Sequence, residues 1–248
     1  MSKFCSIVIT HYANTPERSE IMRKSLTSLF TSLDYPSEVI VVDNGNVVED
    51  SNHLLKLTTE GKIQHYVRNT GNMHFGYARN QGIKLADGDF ICICDNDILY
   101  KPGWLTSCID ILEAYPDNKI YATPIYNVTH WTKKFWGGEQ LELNGKIYRL
   151  NSRAGSNCFV IRRKDLEIIG RFRRHRIAGT KWTERAIELG YMAAVSPSLM
   201  IQDMGFRNGY NFKELIPIKK KLSSGEEIYF NQDEFKKKNP GLVFRSQR

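Results

Sequence analysis

The chain has 248 residues, a length that suits one domain of ordinary size. Hydrophobic residues make up 41% and charged residues 25%, which is typical of a globular protein and excludes a disordered chain. No apolar stretch approaches the roughly 20 residues that a membrane-spanning helix needs, and the N-terminus has no signal-peptide pattern. The sequence therefore predicts a cytoplasmic protein.

The net charge of +8 is concentrated towards the C-terminus. From residue 204 to residue 248, ten Lys and Arg stand against five Asp and Glu, so this stretch carries +5 of the total. A basic surface suits a phosphorylated substrate, an anionic membrane or a nucleic acid. Aromatic residues do not alternate with the basic runs, so a nucleic-acid partner is not favoured. The lysines at 219–221 and 236–238 indicate instead a peripheral contact with an anionic membrane.

The five cysteines are odd in number and widely spread, and no C-x-x-C pair is present. Neither a disulfide framework nor a zinc site is therefore indicated. Cys92 and Cys94 would point the same way from a strand, and we interpret them as small buried apolar residues.

In the first half of the chain, strand-like apolar runs alternate with helical patterns. Strands are predicted at residues 6–10, 38–42, 63–67 and 90–94, with helices at 16–33, at 49–59 and in a segment that ends near residues 86–88. The run at 90–94 is apolar on both alternations, which indicates a strand covered on both faces. This repeated βαβ pattern predicts a mostly parallel sheet.

The second half adds antiparallel features. Leu141 to Leu150 alternates around Asn144-Gly145, which is a strong hairpin signal. Further strands are predicted at 119–126, 156–162, 191–195 and 199–202, and helices at 102–115, 163–169 and 182–189. We expect one α/β domain over residues 1–211, with a nucleotide-binding half (1–99) and an acceptor-side half (100–211), and a basic extension over 212–248.

Polar side chains recur where the predicted parallel strands end: Thr10 and Tyr12, then Asp43, then Asp95 and Asp97. Ligands of open α/β sheets bind at this edge. Two carboxylates there could hold a hard divalent cation and, through it, a phosphate. The acid pair alone would also fit a polar loop that merely ends a strand.

Four segments in fixed order decide between these readings: Ile7-Val8-Ile9-Thr10-His11-Tyr12, then Val39 to Gly45, then Asn69-Thr70-Gly71 with Ala78 to Gly82, and finally Asp95-Asn96-Asp97. This order resembles the family 2 nucleotide-sugar glycosyltransferases of the GT-A fold. The resemblance covers roughly residues 6–203 and is tightest over 6–99. It implies a single GT-A (Rossmann-like) domain with a mixed, mostly parallel sheet and helices on both faces.

The resemblance also implies roles for individual residues. Thr10 and Tyr12 match residues that line the nucleoside pocket, and Asp43 matches the acid that binds the base, typically uracil. Arg79 matches an arginine that approaches the nucleotide and the acid pair, although a structural salt bridge is the alternative, and Asp95 matches the acid nearer the ribose.

For the metal, Asp97 matches the acid that binds Mn²⁺ or Mg²⁺. Asp203 stands where the family often has a late metal-ligating His, and we expect it to be a further ligand, although a loop cap is the alternative. Carboxylate oxygens have the hardness that these cations prefer.

The general base is where the sequence departs from the family pattern. Members that invert usually carry an acid near the position of Gly179-Thr180, which has no carboxylate here. We predict that Glu184, about one helical turn further on, is the catalytic base. Glu139 or Asp203 are the alternatives, and a retaining or inactive protein would need no such base.

The resemblance thus implies a metal-dependent glycosyltransferase. It would move a sugar from a nucleotide-sugar donor, with a UDP-sugar favoured and a GDP-sugar possible, to a hydroxyl of a glycan, lipid-linked or protein acceptor, with inversion. The alternatives are a retaining transferase and a nucleotide-sugar-binding module without transferase activity. A nucleotidyltransferase is disfavoured because no glycine-rich phosphate loop follows Ile9.

Overall fold

A computed structural model describes residues 3–125, 136–151, 157–173, 178–204, 218–221 and 227–230. The helices of this part are α1 Pro16–Ser32, α2 Val48–Thr59, α3 Phe75–Leu85, α4 Trp104–Ala114, α5 Arg163–Ile169 and α6 Ala178–Glu188. Its strands are β1 Cys5–His11, β2 Ser37–Asp43, β3 His65–Arg68, β4 Phe90–Cys94, β5 Ile98–Tyr100, β6 Ile120–Ile125, β7 Trp136–Leu143, β8 Lys146–Asn151, β9 Cys158–Arg162, β10 Met192–Leu199, β11 Ile201–Asp203, β12 Ile218–Lys221 and β13 Glu227–Phe230.

Nine of these strands form one sheet in the order β3-β2-β1-β4-β9-β6-β10-β8-β7. β1 pairs in parallel with both β2 and β4, whereas β9 and β8 run against their neighbours. The other seven described strands of the sheet therefore share one direction. The predicted mixed, mostly parallel α/β sheet is confirmed.

The apolar residues of β4 divide between two cores on opposite faces of the sheet. Cys92 and Cys94 lie in one core with side chains of α1, α2 and α4. Ile91 and Ile93 lie in the other core, against side chains of α5 and α6. Burial on both faces explains why the strand is apolar at every position, as its sequence indicated.

Most of the predicted elements are present within a few residues of their expected bounds. The hairpin turns at Asn144 and Gly145, whose φ angles of 52° and 72° suit the two central positions of a type I′ turn. Helix α5 ends at Gly170, which has a φ of 83°. Helix α6 begins at Ala178, four residues earlier than predicted.

The short antiparallel pair of β5 and β11 was not predicted. The strand predicted at 199–202 overlaps β11, whereas β5 has only three residues, too few to show a clear alternation of apolar and polar side chains. In the C-terminal part, β12 pairs with β13. The division at residues 211 and 212 stays a prediction.

None of the helices in the described ranges is both long and apolar enough to cross a lipid bilayer.

Gly82 places α3 in close contact with the sheet. A Cβ at this position would lie 2.4 Å from Val8 Cγ1 and 3.3 Å from Val42 Cγ2. Elsewhere in a helix, replacing Gly with Ala stabilises by roughly 0.5–1 kcal/mol. Here both neighbours are fully buried, so neither valine can move away without disturbing the core.

We predict that Gly82→Ala lowers the free energy of unfolding by about 1–3 kcal/mol, because overpacking a core costs this much. Urea denaturation followed by circular dichroism measures it. Gly71→Ala is the control, since a Cβ there would meet nothing within 4 Å. A Gly82→Ala protein as stable as the wild type would show that α3 does not pack this tightly.

Candidate functional site

The ends of β1, β2 and β4 meet at one edge of the sheet, as the parallel pairing requires. His11 is in register with Asp43, and Ile9 is in register with Cys94. Beyond the strands, the Asn44 amide donates to the His11 carbonyl at 2.8 Å. Across the other pair, the Asn96 side-chain amide donates to the carbonyl of Tyr12 at 3.2 Å. The predicted site residues on these three strand ends are thus brought together.

Asp43 is fully buried and its carboxylate accepts five hydrogen bonds. Oδ1 accepts from the backbone of Gly45 and from the backbone and side-chain amides of Asn46. Oδ2 accepts from the Ser51 hydroxyl at 2.5 Å and from the Tyr66 hydroxyl at 2.8 Å. Burial raises the pKa of Asp43, but the hydrogen bonds from Ser51, Asn46 and Tyr66 outweigh it, so the pKa lies below its ordinary value.

This carboxylate therefore fixes the loop that follows β2. Direct contact with a nucleotide base would require Asp43 to exchange one of its present partners. Its predicted role as the base-binding acid stays a prediction. The same loop holds the segment before α3, because the Asn44 side-chain oxygen accepts from the Met73 amide and from Asn69 Nδ2, at 3.0 and 3.1 Å.

Thr10 and His11 are the last two residues of β1, and both are buried. The Thr10 hydroxyl is buried and has no hydrogen-bond partner in the described part of the chain. His11 Nδ1 lies 2.9 Å from the Asn46 side-chain nitrogen, so this ring nitrogen accepts and the proton resides on Nε2. Burial lowers the pKa of His11 to about 4, and the imidazole is neutral at pH 7.

The charged side chain of Arg79 is buried and forms an ion pair with Asp95. The guanidinium of Arg79 is 1% exposed, and its Nη2 donates to Asp95 Oδ1 at 2.5 Å. Its Cζ atom lies 4.7 Å from the ring centre of Phe75 and 5.1 Å from that of Phe172, so the guanidinium packs against two aromatic rings.

The segment that carries Phe172 is fastened to α3 by a reciprocal pair of hydrogen bonds. The Asn80 side chain donates to the Phe172 carbonyl at 2.7 Å and accepts from its amide at 3.0 Å. At Gly76, a Cβ would lie 2.4 Å from the Arg173 carbonyl oxygen, so the close approach of the two segments requires glycine. These contacts fix both the ring and the arginine.

Asp97 follows Asp95 by two residues but has a different environment. Its side chain is half-buried, and its carbonyl accepts from the Met204 amide at 2.7 Å. The pairing of β5 with β11 sets Asp203 opposite Ile98. The backbone of Asp203 therefore lies beside that of Asp97, although the side chain of Asp203 is outside the described part. The backbones of the two predicted metal ligands are thus brought side by side.

Glu184 lies on α6, where its carboxylate accepts from Lys181 Nζ at 2.7 Å and is 32% exposed. The helix is anchored by Trp182, which stacks on Phe159 and Phe172 with ring centres 4.7 and 5.5 Å apart. Of the alternative bases, Glu139 is exposed on β7, five strands away from β4 in the sheet order.

Sequence reasoning missed the residues that hold the predicted ones in place. Ser51 and Tyr66 bind Asp43, Asn96 binds Tyr12, and Phe172 covers Arg79. No local pattern could reveal Phe172, because it is 93 residues away from Arg79 in the chain.

Comparison with protein families gives one clear result. The sequence profile of Glycosyl transferase family 2 matches residues 6–170, about two thirds of the chain. The chain belongs to this family. The predicted resemblance is therefore confirmed, and it covers β1 to β4, which carry the strand ends described above.

Two curated proteins show partial sequence similarity to this chain. It is 28% identical over 115 residues to a glucosyl-dolichyl phosphate glucuronosyltransferase of Haloferax volcanii, covering 45% of this chain and 35% of that protein. It is 36% identical over 111 residues to a hyaluronan synthase of Pasteurella multocida, covering 44% of this chain and 11% of that protein. The chain thus matches well under half the length of each relative.

Solved structures confirm the GT-A architecture. A GalNAc-T7 structure with UDP, GalNAc and Mn²⁺ superposes with a TM-score of 0.64 at 12% identity, over 81% of this chain and 43% of that one. A mannosyltransferase of Pyrobaculum calidifontis in complex with GDP-Man and Mn²⁺ gives 0.62 at 15% identity, over 83% of this chain and 58% of that one. At these identities the likeness establishes the fold alone.

The neutral His11 predicts a pH dependence of stability. Its pKa of about 4 in the folded chain lies below the ordinary value of 6.5, so the unfolded chain binds more protons between these pH values. The contribution of neutral His11 to the free energy of unfolding is therefore fully present above pH 6.5, and it is lost as the pH falls towards 4. At about 1.4 kcal/mol per pH unit, the contribution is on the order of 3 kcal/mol.

Urea denaturation of the wild type and of His11→Asn between pH 4 and pH 7.5 measures this contribution. We predict that the stability difference between the two proteins shrinks by a few kcal/mol as the pH falls, since only the wild type loses the His11 term. A difference that stays constant with pH would contradict a neutral buried His11.

Proposed function

We propose that this chain is a metal-dependent glycosyltransferase that uses a nucleotide-sugar donor, preferably a UDP-sugar and alternatively a GDP-sugar, and transfers its sugar to an acceptor hydroxyl with inversion. One observation carries the proposal. Arg79 pairs with Asp95 at the end of β4, and two residues further on the half-buried Asp97 lies beside the backbone of Asp203. In a family 2 chain, this arrangement supports separate roles for the two acids.

The proposed cation is Mn²⁺ or Mg²⁺, held by Asp97 and Asp203. Both cations prefer oxygen ligands and use one or two protein carboxylates together with substrate phosphates. Such a cation acts as a Lewis acid on the negative charge that grows on the leaving nucleoside diphosphate. The GalNAc-T7 structure and the Pyrobaculum mannosyltransferase structure both contain Mn²⁺, which supports this choice.

The proposed nucleotide pocket uses the strand ends around this cation. Thr10 has a buried hydroxyl that a ligand could bind. Tyr12 directly follows β1 at the same edge of the sheet and is half-buried. Asp43 orders the loop after β2, and Arg79 holds Asp95 where a ribose hydroxyl could donate to it. A rigid arrangement of this kind lowers the entropic cost of orienting the donor.

We propose a glycan, lipid-linked or protein acceptor. The similarity to the Haloferax protein, a glucosyl-dolichyl phosphate glucuronosyltransferase, supports the lipid-linked class. The basic run at 219–221 would then contribute a peripheral contact with an anionic membrane.

A second candidate is a nucleotide-sugar-binding module without transferase activity. The absence of a carboxylate at Gly179 and Thr180 favours it. The two candidates share the donor site and differ in turnover, so hydrolysis of a donor sugar in the presence of Mn²⁺ separates them.

Calorimetry with UDP and with GDP, each with and without Mn²⁺, tests the proposed donor site. We predict that a nucleoside diphosphate binds at least about tenfold more tightly with Mn²⁺, because the cation bridges the diphosphate to the carboxylates. ADP is the control nucleotide. If no nucleoside diphosphate bound under any condition, the proposal would be wrong.

Glu184→Gln tests the proposed base. Removing a general base slows turnover by roughly 10²–10⁴-fold without weakening binding of the donor. We therefore predict a lower kcat for donor turnover and an unchanged Kd for the nucleotide. Glu188→Gln is the matched control, because Glu188 is an exposed glutamate on the same helix. An unchanged kcat in Glu184→Gln would assign the base elsewhere.

A further inference from the structure

Three cysteines, of which one is distant from the other two in the sequence, lie together inside the protein. Cys92 and Cys94 lie on the same face of β4, and Cys94 is the register partner of Cys158 on β9. The Asp95 amide donates to the Asn157 carbonyl at 2.7 Å, which makes Cys94 and Cys158 a non-hydrogen-bonded pair with side chains close together. All three residues are 0% exposed.

The three sulfur atoms have the spacing of a thiolate metal site. Cys94 Sγ lies 3.3 Å from Cys92 Sγ and 3.6 Å from Cys158 Sγ, and the ligand atoms of all three lie within 4.8 Å of one another. A tetrahedral zinc site with Zn–S bonds of about 2.3 Å has sulfur atoms about 3.8 Å apart. The two shorter observed distances lie within about 0.5 Å of this edge length, so small side-chain adjustments would bring the three sulfurs to it.

A buried oxygen lies beside the same sulfurs. Tyr100 is 7% exposed, and its hydroxyl has no conventional hydrogen-bond partner within the described ranges. Burial and the neighbouring thiols of Cys94, Cys158 and Cys92 raise the pKa of this hydroxyl well above its ordinary value, which places it near the three sulfurs. Because buried polar atoms nearly always have a partner, a buried hydroxyl near three sulfurs is a second indication of a ligand, beside the spacing of the sulfurs.

We propose that Cys92, Cys94, Cys158 and Tyr100 form a closed structural site for a thiophilic d¹⁰ cation, with Zn²⁺ as the preferred ion. Three thiolates select soft or borderline cations over Mg²⁺ and Mn²⁺. The hydroxyl oxygen of Tyr100 is the fourth ligand atom of the proposed site. This site is separate in chemistry from the carboxylates of Asp97 and Asp203, which suit hard cations.

The charge at the site favours a divalent over a monovalent ion. Zn²⁺ with three thiolates carries a net charge of −1, whereas Cu⁺ with the same ligands carries −2. A larger uncompensated charge in a dry core costs more free energy. Binding of Zn²⁺ displaces three thiol protons to solvent, and no electron transfer or bond cleavage is involved.

The site would be filled while the chain folds. The sulfur atoms are inaccessible in the folded protein, and the two ligating strands come together only when β9 pairs with β4. Metal affinity then adds to the stability of the fold, as in other structural zinc sites. The ion would tie the end of β4, one residue before Asp95, to β9.

The test uses the full-length chain, refolded from denaturant with Zn²⁺ and then washed with EDTA to strip loosely held cations. Mass spectrometry of the metal content is expected to find about one equivalent of zinc per chain. Cys158→Ala should lower the bound zinc at least about tenfold. Cys108→Ala is the matched control, because Cys108 is buried in the same core outside the triangle, and it should retain the zinc.

A second measurement needs no variant. Refolding the wild type with Cd²⁺ in place of Zn²⁺ should produce the near-ultraviolet absorption of Cd–thiolate charge transfer. A folded wild type that holds neither zinc nor the Cd–thiolate band, or a Cys158→Ala protein with as much zinc as the wild type, would overturn the proposal. The outcome is independent of sugar transfer, so it does not depend on the proposed function.

Discussion

The ion pair between Arg79 and Asp95 is the interaction on which the rest of the site depends. A guanidinium that is 1% exposed is expensive to bury unless a partner compensates its charge. Asp95 is that partner, and the rings of Phe75 and Phe172 enclose the rest of the group. The pair joins α3 to the end of β4, two residues before Asp97.

The parallel pairing of β1 with β2 and β4 supplies the frame for this arrangement. Because three strands end at one edge, side chains distant in the sequence converge without any long loop. The Asp43 carboxylate then fixes the loop after β2 through five hydrogen bonds, and Asn44 extends the network to the segment before α3. The site is therefore built on regular elements and short, well-bonded loops.

Much of this fold is visible in the sequence. The five apolar residues of β4 predicted burial on both faces, and Asn144-Gly145 predicted a hairpin, because these signals are local. The three-residue strand β5 was not predicted, since so few residues carry no period, and the strand predicted at 199–202, which overlaps β11, gave no sign of its pairing with β5. Local patterns also placed the polar strand ends correctly, although they did not show that Asp43 accepts five hydrogen bonds from within the chain.

Contacts between distant segments lie beyond single-sequence reasoning. The cover that Phe172 gives Arg79 and the approach of Cys158 to Cys94 both depend on how the strands and helices pack, which no spacing motif records. The cysteine triangle is the clearest case. Its sequence spacing argued against zinc, whereas antiparallel pairing of β4 with β9 assembles three thiols.

The central claim is that the two acids after β4 have different roles. Electron paramagnetic resonance of Mn²⁺ in the presence of UDP tests it directly on the wild type, Asp95→Asn and Asp97→Asn. The account predicts that Asp97→Asn weakens Mn²⁺ binding by at least about tenfold, because losing a ligand costs no less than losing a residue that orients one, and that Asp95→Asn changes it far less. Loss of Mn²⁺ binding in Asp95→Asn together with full binding in Asp97→Asn would contradict it.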